Sequence, residues 1–114
     1  MKKIFNNDLR INNVNENVHL FGWVQKKRNL GGLIFIDLRD RSGIIQLVVR
    51  PECDFYNDAE SLKSEYVIEV YGKVMERESK NKNIPTGDIE IEVEKLIILN
   101  KSIDLPFTID DMTT

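Results

Sequence analysis

Apolar and polar residues alternate along most of this chain, and the alternation breaks into five segments. Residues 18–27 place Val18, Leu20 and Val24 on one parity with Gly22 between them, and Phe21 and Trp23 on the other. Residues 33–39 place Ile34, Ile36 and Leu38 on one face and Leu33, Phe35, Asp37 and Arg39 on the other, because strand side chains alternate. Residues 44–50 set Ile45, Leu47 and Val49 against Ile44, Gln46 and Val48, so Gln46 is the polar group of an apolar stretch. Residues 66–78 alternate Tyr66, Ile68, Val70, Gly72 and Val74 with Val67, Glu69, Tyr71 and Lys73. Residues 88–99 alternate Ile89, Ile91 and Val93 with Glu90, Glu92 and Glu94, then close on the apolar run Leu96, Ile97, Ile98 and Leu99. All five read as strands.

The punctuation between them sets the order. Lys26, Lys27 and Arg28 read as a basic tight turn, followed by Gly31 and Gly32. Asp40, Arg41, Ser42 and Gly43 form a turn in which Asp and Ser bond their own backbone. Gly22 marks a bulge or bend inside the first strand. Pro51 ends the third strand because it has no ladder donor. Residues 54–62 read as one helix, with Asp54 as N-cap and Phe55, Ala59 and Leu62 at helical spacing. Residues 79–87 are a polar, asparagine-bearing loop. Three strands, a helix and two strands give an all-β chain with one short helix, in the order of a five-stranded Greek-key barrel, the OB-fold. Residues 1–16 are then an N-terminal extension holding a short helix or turn, 17–100 the barrel, and 101–114 a linker.

In that fold the second and third strands form the binding face, flanked by the loops between strands 1 and 2 and between strands 4 and 5. Those features here hold Phe35, Gln46, the basic residues 26–28 and the loop 79–87. An aromatic beside guanidinium and ammonium groups on a sheet face suits stacking against an unpaired base. An aromatic in such a place can also pack against a neighbouring strand, but the convergence of candidates on one surface favours stacking. Lys26 and Lys27 read as a solvated turn that steers RNA. Gln46 is either a plain exposed strand residue or a contact beside Phe35. Arg77 can pair with a nearby carboxylate such as Glu90. Glu92 and Glu94 read as a solvated strand face.

Composition narrows the partners. The 114 residues carry a net charge of −3, against a bulk phosphate binder. The basic residues lie in the first half and Glu90, Glu92 and Glu94 near the end, which favours a small, defined contact. Cys53 is the single cysteine, so no internal disulfide can form. It reads as an inert thiol, and the one histidine, His19, as structural. No apolar run approaches the roughly 20 residues of a membrane span, and the N-terminus lacks a signal-peptide core. The expected setting is cytoplasmic. No metal-ligand spacing and no catalytic constellation appears.

The string Gly22, Trp23, Val24, the basic triplet, residues 30–41, Gly43, Ile44 and Gln46 resembles the N-terminal anticodon-binding domain of the bacterial-type aspartyl-tRNA synthetases. Thr86, Gly87, Asp88, Ile89 and Glu90, and later Leu105, Pro106 and Phe107, resemble it too. The resemblance implies a class II synthetase that attaches aspartate to tRNA with ATP and magnesium, usually as a homodimer. It implies a fragment, with the catalytic domain beyond Thr114 and no cofactor site within these residues. It implies that the barrel reads the anticodon G-U-C of the aspartate tRNA. Phe35 would stack on the central uracil, and Gln46 and Arg28 would bond that uracil or its backbone. Arg77, Asn81 and Glu90 would surround the other two bases. The loop before Thr86 varies in length in the family, and Met75 stands where some members carry arginine. A sibling domain of asparagine or lysine type, and a stand-alone single-strand-binding module, remain as alternatives.

Overall fold

The computed structural model describes residues 4–101. Five strands close into a barrel: β1 (Asn17–Leu30), β2 (Leu33–Asp40), β3 (Gly43–Val49), β4 (Val67–Glu76) and β5 (Ile89–Asn100), in the order β1-β2-β3-β5-β4. The first strand is long enough to serve two neighbours. Its residues 17–23 pair antiparallel with β4, and residues 23–30 pair antiparallel with β2. Strands β3 and β5 pair in parallel through Gln46 and Glu90, Leu47 and Ile91, and Val48 and Glu92. Closure of the barrel rests on this short parallel pairing, which joins β3 and β5 over three residues each.

The expected alternation is what fills the barrel. Ile34, Ile36, Leu38, Ile45, Leu47, Val49, Val70, Val74, Ile89 and Ile91 are all fully buried. Burying one such side chain contributes about 1.5–3 kcal/mol, so this inner layer is the main source of stability. The short helix α1 (Tyr56–Ser61) packs onto it through buried Ala59, followed by Leu62, with Phe55 and Tyr56 packed beside them. The helix starts later than the N-cap reading of Asp54 places it. Phe55 holds the N-cap position with no side-chain cap, because turns closed by Cys53 N–H to Arg50 and Tyr56 N–H to Cys53 occupy the residues before it.

Two further expectations are corrected. The basic residues 26–28 are not a turn: β1 continues through them to Leu30. The turn is Gly31–Gly32, with φ of 60° and 90°, and Leu30 pairs directly with Leu33. Two central residues at positive φ match the twist of a tight hairpin, which only glycine adopts cheaply. Nor does Gly22 carry the bulge, which falls between Val24 and Lys26. Gly22 answers a close approach instead, since a Cβ there would collide with the Arg39 carbonyl and meet the Leu38 side chain at 3.0 Å.

The stretch before β1 forms two short 3-10 turns, Asn6–Asp8 and Ile11–Asn13. It is docked to the barrel, with Leu9 in the core and Asn6 N–H donating to Asp40 Oδ2 at 2.8 Å. Asp40 Oδ1 also accepts from Ser42 N–H at 2.8 Å and Ser42 Oγ at 2.6 Å, which fixes the β2–β3 turn. The linker assigned to 101–114, with Leu105, Pro106 and Phe107, lies beyond the described residues except for Lys101.

Candidate nucleic-acid interface

The bulge decides which side chains of β1 reach the outer face. Val24 points into the barrel opposite Leu38, so an unbroken alternation would turn Lys26 and Arg28 inward as well. The extra residue, Gln25, resets the parity. Lys26 then stands opposite Asp37, and Arg28 opposite Phe35, on the outer face. The connector from α1 to β4 pins this irregularity. Glu65 N–H donates to Val24 C=O at 2.7 Å, and Val24 N–H donates to Tyr66 C=O at 2.8 Å. The side chain of Gln25 accepts from Arg39 Nη1 at 3.2 Å. Lys27, on the other parity, donates to the Glu60 carbonyl of α1.

Phe35 is half-buried, while its neighbours Ile34 and Ile36 are fully buried, so its ring lies on the outer face. Beside it runs a chain of polar contacts across three strands. Arg28 Nη2 donates to Gln46 Oε1 at 3.0 Å, and Gln46 Nε2 donates to Glu90 Oε1 at 2.9 Å. Arg28 also lies 3.5 Å from Asp37 Oδ1. Gln46 is only 6% exposed, so it is a buried link and not a plain surface residue. Each end of its amide is bound, which fixes which end is donor and which acceptor. Partners fixed in this way hold Arg28 and Glu90 ready before any ligand arrives, which lowers the ordering cost of binding.

These groups line a groove of about 560 Å³. Phe35, Val48 and Met75 contribute to its walls along with Arg28, Gln46 and Glu90. Arg77 enters the same groove from just beyond β4. Its side chain makes no hydrogen bond or ion pair among the described residues; Glu90 bonds Gln46, so the Arg77–Glu90 pairing is not formed. Glu76 and Glu78 stand beside it, and Lys80 Nζ donates to Glu76 Oε2 at 2.7 Å. That hydrogen bond holds the Lys80 ammonium above its ordinary pKa. Acidic and basic groups are therefore interleaved along the groove, which suits readout of base edges more than attraction to phosphate alone.

The remaining candidates fall elsewhere. Asn81 does not line the groove. Its Oδ1 accepts from Asn83 N–H at 2.9 Å and its backbone N–H bonds Gly87, so it shapes the loop 79–87. Thr86 closes the same loop by donating to the Ile44 carbonyl at 2.5 Å, and a Cβ on Gly87 would strike the Asn81 carbonyl. Lys26 is exposed on the outer face, outside the groove lining. Glu92 is not simply solvated, since its Oε1 accepts from Arg50 Nε at 3.3 Å. His19 sits on the β1–β4 face, 2.5 Å from Glu69 Oε2 and stacked on Tyr71 at 4.0 Å. Desolvation first, and then the charge and hydrogen bond of Glu69, push the Tyr71 hydroxyl above its ordinary pKa. Cys53 is half-buried against the core. Among the described residues no group of three or more His, Cys, Asp or Glu side chains is placed to hold a metal ion. No described helix is long and apolar enough to cross a membrane.

Sequence reasoning missed Leu30 and Arg50 as groove residues. Parity could have found Arg50, which follows Gln46 and Val48 along the outer face of the third strand.

Comparison with known proteins agrees with this geometry. An aspartate–tRNA ligase of Bacteroides fragilis is 55% identical over 108 residues, covering 93% of this chain and 18% of that protein. One of Streptococcus suis is 53% identical over 106 residues, covering 90% of this chain and 18% of that protein. The chain thus spans under a fifth of the length of these relatives. Among solved structures, asparaginyl-tRNA synthetase from Pyrococcus horikoshii superimposes with a TM-score of 0.79 at 26% identity, over 100% of this chain and 26% of that one. Aspartyl-tRNA synthetase from Entamoeba histolytica, at 22% identity and a TM-score of 0.74 over 93% of this chain and 23% of that one, shares the fold. The family profile for the OB-fold nucleic acid binding domain matches residues 18–99, from the start of the barrel to its last strand, and the chain belongs to that family.

Proposed function

We propose that this domain reads the anticodon of the aspartate tRNA, as the N-terminal domain of an aspartate–tRNA ligase. The observation that carries the reading is the outward ring of Phe35 beside the Arg28–Gln46–Glu90 chain. An unpaired pyrimidine stacked on that ring would present its Watson–Crick edge to groups that both donate and accept. Arg28 offers only donors, Glu90 only acceptors, and Gln46 both, so a base is selected by which edge matches this row. Arg77 would serve an outer base or a phosphate, and Lys26 would steer the RNA from outside the groove. Asn81 would act through the loop it shapes. In this reading ATP and magnesium, aspartate activation and homodimerisation belong to the remainder of a class II synthetase in the cytoplasm.

Titration with anticodon stem-loops tests it. The domain should bind a G-U-C loop at least tenfold more tightly than a loop with an unrelated triplet at the same salt concentration. Equal affinity for both would sink the reading. The likeness to an asparaginyl-tRNA synthetase at 26% identity favours one competing assignment. Tighter binding to G-U-U than to G-U-C would establish that assignment instead.

A further inference from the structure

The half of β1 that carries Arg28 is held differently from the rest of the barrel. Residues 17–23 pair with β4, whereas among the described residues 24–30 have a strand, β2, on one edge only. Their hairpin turns through two glycines at positive φ, the residue type with the most backbone freedom to lose. A segment with one ladder partner opens more readily than one paired on both sides. Yet Arg28 on this segment bonds Gln46 at 3.0 Å, over the strand between them, and a shift of about 1 Å would take that bond out of range. Something other than a strand has to fix the second edge.

The helix α1 and the connector after it supply that support. Val24 is bonded to Glu65 and Tyr66 of the connector, and the next carbonyl, Gln25 C=O, accepts from Ser64 Oγ at 3.5 Å. Lys27 reaches α1 itself, where its ammonium donates to the Glu60 carbonyl. Glu60 lies in the last turn of α1, whose carbonyls have no partner within the helix, so the lysine satisfies an orphan acceptor. At the tip of the hairpin the Tyr56 hydroxyl donates to the Gly32 carbonyl at 2.9 Å. The Tyr56 ring packs against the core, which fixes where its hydroxyl stands. Lys27 and Gly32 are thus tied to one short helix, one on each side of Arg28 in the chain. Neither Lys27 nor Tyr56 lines the groove, so both contacts are free to act without touching its occupant.

We infer that Tyr56 and Lys27 are positioning residues for RNA recognition, which clamp the β1–β2 hairpin to α1 and so hold Arg28 against Gln46. The inference rests on the anticodon reading proposed above, and the test separates the two. Tyr56→Phe keeps the packed ring and removes only the hydroxyl; Lys27→Met keeps the stem and removes the ammonium. Each is made in the 114-residue chain alone and together with Arg28→Met, and titrated with a G-U-C stem-loop well below the onset of unfolding. Tyr56→Phe should lower the affinity about fivefold, the worth of one neutral hydrogen bond, and should speed amide hydrogen exchange at residues 28–30. Together with Arg28→Met it should cost nothing further, because the clamp acts through that guanidinium. Lys27→Met should show the same coupling to Arg28, with an unchanged slope of log K against log salt. A reduced slope would mean that Lys27 meets a phosphate, and would overturn its positioning role. If both variants bind as tightly as the unmodified chain, or if their losses simply add to that of Arg28→Met, the inference is overturned and the anticodon reading stands. If the unmodified chain binds an unrelated triplet as tightly as G-U-C, both fail.

Discussion

Arg28 on β1 donates to Gln46 on β3 at 3.0 Å, reaching over the strand that lies between them. Glu90 is bound to the other end of the same amide. One nearly buried glutamine therefore sets the orientation of a cation and an anion on opposite sides of it. Gln46→Leu should keep the fold, because Arg28 and Glu90 both retain access to water, and should cost about 1 kcal/mol or less in stability. Its affinity for a G-U-C stem-loop should fall at least tenfold. Parallel urea denaturation and RNA titration check this. A variant that binds normally would show that the chain of contacts serves only the fold.

Removing the bulge should be far more damaging than changing its side chain. Deletion of Gln25 would restore plain alternation and drive Lys26 and Arg28 into the barrel, where an unpaired charge is expensive. The deletion should cost more than about 4 kcal/mol or abolish cooperative unfolding. Gln25→Ala keeps the extra residue and should lie within about 0.5 kcal/mol of the unmodified chain. Equal stability of the two variants would mean that the clamp by residues 65 and 66 does not set the register.

Arg77 enters the groove with no ion pair among the described residues, unlike Arg50. If it neutralises one phosphate, Arg77→Ala should reduce the slope of log K against log salt by about 0.7. Binding should weaken by a similar factor for G-U-C and unrelated loops. A loss confined to G-U-C, with an unchanged slope, would assign Arg77 to a base edge.

Among the described residues, Tyr71 beside Glu69 and Lys80 beside Glu76 are shifted above their ordinary pKa values. For each, the folded state holds its proton to higher pH than the unfolded chain does. Their contribution is thus fully present below the unfolded pKa and is lost as pH rises through the folded one. Stability should show no slope from these groups near neutrality and should fall above about pH 10. Tyr71→Phe and Lys80→Met should each flatten that alkaline fall in thermal unfolding. An unchanged profile in both variants would remove them as its cause.

Much of the barrel is legible from short-range pattern. Ile34, Ile36 and Leu38 go inward and Phe35 outward because a period of two is a local property, and nothing interrupts β2. The position of Arg28 is not legible in the same way. Its parity against Phe35 depends on an extra residue at 25, and the adjoining Val24 is held by hydrogen bonds with residues 65 and 66, some forty positions later in the chain. The basic stretch is strand for a local reason: Gly31–Gly32 already supplies the turn, so β1 runs on to Leu30. The link from Gln46 to Glu90 arises from a parallel pairing that closes the barrel, so no sequence spacing announces it. Asn81 shows the opposite case, a polar residue whose side chain is taken up by its own loop.

The central claim is that Phe35 carries a base. A double-mutant cycle tests it: the unmodified chain and Phe35→Ala are each titrated with a G-U-C stem-loop and with the same loop abasic at the central position. The account predicts that either change alone weakens binding by about 1–3 kcal/mol, and that both together cost little more than one. Undiminished binding by Phe35→Ala, or losses that simply add, would contradict it.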